Sequence, residues 1–306
     1  MFSCMLGHRF TGPTKLSVTQ QVLLTLHKKT MRRIFIIANT VLLLVVFYAS
    51  YRFPHKFVRV QGECDSNWLH IHASIDSKTI CCKNEPGGYG EAPCYSGMDL
   101  MPVLGSLTGA WAIPLSALVF NYGSMMLGPN VTMRRIRAYV RRGLLYAAVM
   151  TLRTIVLYMG LGQIEKKLGH FIWDYSDHSC WYADLRRGKG CPVGFDHSDH
   201  IVLLVSHYLA ILLFEWFALD VESTGPSVKR TMLRIWILIV GGMATYLLLF
   251  TASYFHTTTE NLVGLLIAQG CVMLPLMLVT QDYFTSWKWL RLHNFVLLPE
   301  ESKRGD

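Results

Sequence analysis

The stretch "GFDHSDH" at positions 194–200 crowds two aspartates and two histidines against the apolar run that begins at Ile201. Charge at a membrane edge is costly, so such a cluster points to chemistry or to ligand binding. A second stretch, "TASYFHTTTEN" at 251–261, ends another apolar run with His256 and sets Glu260 four residues further on. Imidazole can serve as a nucleophile or as a general acid–base near neutral pH. His200 and His256 are therefore the candidate chemical pair. His197 and His200 also have HxxH spacing, with His207 two turns beyond and Asp196 and Asp199 beside them. That set is compatible with a zinc site.

Whether these groups meet depends on the elements that carry them. The 306 residues are 52% hydrophobic and only 16% charged, with a positive mean hydropathy. A soluble chain carries about 25% charged residues. Six apolar runs approach the roughly 20 residues that cross a bilayer: 34–50, 100–126, 144–162, 201–219, 235–251 and 262–280. The expected fold is an all-α membrane protein, a single bundle of six transmembrane helices. Its parts are a basic segment 1–33, a membrane domain 34–281 with Cys-bearing loops at 51–99 and 163–200, and a tail 282–306. The basic lead before the first run and the lack of a small-residue cleavage site after it suggest a signal anchor. Residues 16–26 are expected to form a short interfacial helix.

The formal net charge of +9 suggests a polyanionic partner until its distribution is examined. Alternate segments between spans, beginning with the N-terminus, hold 18 Lys+Arg and 6 acidic residues, against 10 and 13 in the others. By the positive-inside rule both termini and "RRIRAYVRR" are cytosolic. The charge reports topology, and nucleic acid is excluded as its explanation. Six of the eight cysteines (Cys64, Cys81, Cys82, Cys94, Cys180 and Cys191) then lie in non-cytosolic loops, where disulfides form. The sequon at Asn130 falls on the cytosolic side, where it would go unused.

This topology brings the two histidines to one face. His200 opens the fourth span and His256 follows the fifth, and the two helices between them are joined by a short cytosolic loop, so they are antiparallel neighbours. Asp196 and Ser198 are placed to cap the fourth helix. Glu260 is placed to fix the tautomer of His256, although "TTTE" at 257–260 also reads as a capping box. Arg153, inside the third span, is expected to pair with Glu215 or to line a polar cavity.

"GFDHSDHIVLLVSHYLAIL" and "TASYFHTTTENLVGLLIAQG" resemble the two signature segments of the fat storage-inducing transmembrane (FIT) family, and the resemblance covers the third to sixth spans. It implies an endoplasmic reticulum protein that supports lipid-droplet formation, with distant similarity to lipid phosphate phosphatases and an acyl-CoA diphosphatase activity. Carried over, His256 attacks phosphorus to form a phosphohistidine and His200 protonates the leaving oxygen. Asp196, Ser198, Asp199 and Glu260 support them. Neither cofactor nor metal is implied. The implied ligands are fatty acyl-CoA and membrane lipids, diacylglycerol and triacylglycerol among them.

The sequence departs from the pattern at three places. Asp199 stands where the family has glycine, so a carboxylate lies where phosphate would approach. The phosphatase Lys-x6-Arg-Pro element is missing, and Leu249-Phe250 replaces the superfamily's Ser-Arg. The phosphate cations are therefore sought among Arg153, Lys166 and Lys167, with Arg186 and Arg187. Two other functions stay open: a non-catalytic protein that partitions neutral lipid, and a zinc-dependent lipid amidase built on His197, His200 and His207.

Overall fold

The computed structural model describes residues 18–52, 58–60, 68–72, 79–83, 100–127, 131–160, 163, 198–222, 227–254, 256 and 258–297. Asp196, His197, Lys166, Lys167, Arg186, Arg187, Cys64, Cys94, Cys180 and Cys191 lie outside them, as do the expectations placed on those residues.

Helices dominate. In chain order they are α1 (Val18–Arg52), α2 (Met101–Leu104), α3 (Leu107–Met126), α4 (Met133–Gly160), α5 (Asp199–Val221), α6 (Val228–Tyr254) and α7 (Thr258–Thr280). Five of them, α1 and α4 to α7, are long and apolar enough to cross a membrane. The expected span at 100–126 holds α2 and α3; α3 has 20 residues, carries Pro114 within it and is not among the five. Residues 18–26 of the expected interfacial helix 16–26 belong to α1. With no proline or glycine between Val18 and Arg52, α1 runs unbroken for 35 residues, straight through the expected boundary at 33/34. "RRIRAYVRR" is likewise helical, forming the first turns of α4.

The loop after α1 adds something that an all-α reading did not contain. Strands β1 (Val58–Val60), β2 (Trp68–His72) and β3 (Thr79–Lys83) form a small antiparallel sheet in the order β1-β3-β2. Its register sets His70 opposite Cys81 and Leu69 opposite Cys82.

Polar contacts fix the relative direction of the helices. Asn261 at the start of α7 bonds Ser50 at the end of α1, while Gln281 just past α7 bonds the carbonyl of Lys28. Arg142 and Arg153 of α4 pair with Glu215 and Asp199 of α5. Trp236 and Lys229 of α6 reach Ser116 and Asn121 of α3. Each of these pairs is antiparallel. The starts of α5 and α7 therefore share one face of the bundle with the ends of α1, α4 and α6. At the centre stands α5, with Ile201, Val202, Val205, Tyr208, Ile211 and Ala218 at 0% exposure. By contrast α1 turns Ile36, Ile37, Val41 and Leu44 outward, as a lipid-facing helix does.

Candidate functional site

At the shared face α5 and α7 start almost in backbone contact. The amide of Ser198 donates to the carbonyl of Glu260 at 3.3 Å. Such an approach needs Gly264: a Cβ there would lie 2.9 Å from the Ser198 carbonyl oxygen. Ser198 was expected to cap α5 through its side chain, but its hydroxyl makes no capping bond and has no hydrogen-bond partner. Because the α7 backbone occupies the space around it, the residue is 0% exposed. His200 follows in the first turn of α5, half-buried.

His256 sits in the short connection between α6 and α7. Its Nδ1 is 3.6 Å from a carboxylate oxygen of Glu260, and its side chain is 12% exposed. The i,i+4 proximity expected on one helix is thus reached with the histidine just outside the helix. One contact joins the two histidine segments: Glu260 faces His256 with its carboxylate and Ser198 with its carbonyl.

Asn261, which the sequence reading overlooked, holds the His256 segment in place. Its Nδ2 is within hydrogen-bond distance of Ser50 Oγ at 2.8 Å, the Ala252 carbonyl at 3.0 Å and the His256 carbonyl at 3.1 Å. An amide nitrogen has two protons for these three acceptors, so one contact is shared. A single buried side chain thereby ties α1, α6 and the His256 backbone together. The sequence does contain a signal, since an asparagine at the head of an apolar run needs partners.

Of the two expectations for Arg153, pairing with Glu215 or lining a polar cavity, the structure corrects the first. Arg153 donates to the carboxylate of Asp199, and its Nε is buried with no hydrogen-bond partner. Glu215 belongs to another group: Tyr146 donates to it at 2.6 Å and Arg142 lies 3.6 Å away. The reason is register. Since α4 and α5 are antiparallel, setting Arg142 beside Glu215 carries Arg153, three turns later, toward the start of α5. Asp199, the departure from the family glycine, thus serves as the counter-ion of the intramembrane arginine.

His207 does not join His200. Pro114 has no N–H, so the Ala110 carbonyl one turn earlier loses its helical donor. His207 Nδ1 lies 2.9 Å from that oxygen and supplies the missing hydrogen bond. A carbonyl only accepts, so the proton is on Nδ1. Tyr208 next to it donates to the carbonyls of Leu104 and Gly109 at 2.8 and 3.0 Å. Both residues lie on a π-helical turn, Leu204–Leu209, and both reach backbone carbonyls of residues 104–110. Among the described residues no group of three His, Cys, Asp or Glu is placed to hold a metal ion.

The site is therefore a nearly buried histidine–carboxylate pair beside an arginine–aspartate pair whose aspartate is half-buried. Glu260 and Asp199 each sit in the first turn of a helix, where the helix dipole favours negative charge. No curated protein and no solved structure matches the chain. One family model does, over a segment that takes in α6, His256, Glu260, Asn261 and Gly264 but not His200. Residues 220–275 match the FIT family, fat storage-inducing transmembrane protein.

Proposed function

We propose that this chain is a hydrolase of the endoplasmic reticulum membrane that cleaves the phosphoanhydride of fatty acyl-CoA on the lumenal side and so supports lipid-droplet formation. The observation that carries the reading is the Ser198–Glu260 contact, which joins the His200 segment to the His256 segment. With Glu260 beside Nδ1, the Nε2 lone pair of His256 is the one available to attack. Attack forms a P–N bond as the anhydride P–O bond breaks, and His200 gives its proton to the leaving oxygen. Water, deprotonated by His200, then cleaves the P–N bond and restores His256. The products are acyl phosphopantetheine and adenosine bisphosphate. Arg153, held by Asp199 with its Nε unspent, is the candidate for the phosphate oxygens that falls among the described residues, and the acyl chain stays among the apolar helices.

Turnover of acyl-CoA by the purified protein, with and without chelator, tests this. His256→Ala should abolish turnover, and His200→Ala should lower it by about 10²–10⁴-fold, the usual worth of a positioned general acid. The double variant should be no worse than His256→Ala alone. Wild-type turnover in His256→Ala would refute the mechanism, and loss of turnover to chelator would favour zinc. A second reading, neutral-lipid binding, rests on the apolar outer face of α1, where Ile36, Ile37, Val41 and Leu44 turn outward. Lipid binding without turnover would favour it.

A further inference from the structure

The end of the bundle opposite the histidines carries a surface that this chemistry does not use. α7 ends in a Schellman motif: the amide of Tyr283 bonds the Leu278 carbonyl and that of Asp282 bonds the Val279 carbonyl. The left-handed position is usually glycine, but here it is Asp282, at φ 59°. The strain has a return, because the Asp282 carboxylate accepts the amide of Leu292 at 3.0 Å and pins the following chain. Asn294 is held in turn by Arg141 of α4, and the amide of Leu297 by Glu222.

The pinned segment displays aromatic rings. Phe284, Trp287 and Trp289 stack in series, with centroids 6.1 and 5.8 Å apart. Tyr283, Trp287 and Trp289 are 72%, 54% and 66% exposed. On a soluble protein these rings would be anomalous; directly after a membrane span they lie at the depth where Trp and Tyr meet headgroups. Cations lie beside them. Arg134, Arg137 and Arg141 follow the i, i+3, i+7 spacing of one exposed face of α4, and Arg291 faces them from the segment, its Nε on the Thr285 carbonyl. Asp282 already serves the Leu292 amide, and Glu222 is turned inward to Arg142. Partial burial keeps His293 below its ordinary value; Asp282 opposes this, and Arg291, Arg141 and Arg134 reinforce it.

We propose that residues 282–297 and the first turns of α4 form a binding surface for the headgroups of anionic phospholipids in the adjoining leaflet. Phosphate oxygens would meet the arginines while the indole rings enter the headgroup layer. Charge complementarity and continuity with α7 favour lipid over a soluble polyanion.

The test equilibrates the full-length protein with mixed micelles of phosphatidylserine and phosphatidylcholine in equal amounts and quantifies the lipid that copurifies. Phosphatidylserine should be enriched, and rising salt should erase the enrichment. Each cation near the surface is worth about fivefold, so R137Q/R291Q should lower the enrichment by about 25-fold, while W287A/W289A should reduce retention of both lipids. No enrichment in the unmodified protein, enrichment indifferent to salt, or unchanged enrichment in R137Q/R291Q with its thermal midpoint intact would each overturn the proposal. The salt series needs no variant, so misfolding of a variant cannot shield the idea.

Discussion

Pro114 and His207 are chemically matched although they lie on different helices: one withholds a donor and the other supplies it. The match predicts a signature in a double-mutant cycle. His207→Phe should cost about 1–3 kcal/mol, because the Ala110 carbonyl is left buried without a donor. In a Pro114→Ala background the helix recovers its own N–H, and the same histidine substitution should cost much less. Thermal unfolding of the four proteins in detergent measures the difference; equal costs in both backgrounds would show the bond to be idle. The sequence displayed both residues but not their relation. Helical spacing grouped His207 with His200, whereas its partner was a carbonyl freed by a proline far back in the chain. His256 and Glu260 were legible because their relation is local. Asn261 and Gly264 were overlooked because their roles depend on which helix packs against them.

Between helices, the α4–α5 pair shows what a buried charge network specifies. Arg142 is 0% exposed, with Glu222 at 2.8 Å and Glu215 at 3.6 Å. Removing one member of such a group strands the others, so Glu215→Ala should destabilise the protein by about 3–5 kcal/mol. Glu215→Gln should cost less, since its amide oxygen still accepts from Tyr146. Denaturant titration in detergent distinguishes them, and a loss below about 1 kcal/mol for Glu215→Ala would mean that the group is not shielded from water. The existence of these helices was plain from apolar runs of bilayer length. Their ends were not, because a basic stretch such as 134–142 can be either loop or helix until something packs against it. The expected Arg153–Glu215 pairing, one of two alternatives, fails for this reason: with Arg142 assigned to a loop, Glu215 had no other cation to meet.

Across the whole molecule the alternating charge and the helix directions agree, since both set the starts of α5 and α7 at the face where α1, α4 and α6 end. If the arginine-rich face is cytosolic, a new sequon near residue 185 should acquire a glycan and Asn130 should carry none. A glycan at Asn130 alone would invert the orientation while leaving the packing untouched. The succession of apolar runs made the alternation of helix directions legible; the sheet in the first loop escaped it, because short strands leave little periodic trace. The unbroken course of α1 has a mechanical consequence. A helix of 35 residues is about 52 Å long, well beyond a hydrocarbon core of about 30 Å. With no hinge residue it is a stiff lever. One arm, 18–27, stands beyond the Gln281 contact at Lys28; the other ends at Ser50, against the asparagine that holds the His256 backbone. A torque applied to the first turns of this rod arrives, undamped by any joint, at the side chain that holds the His256 backbone.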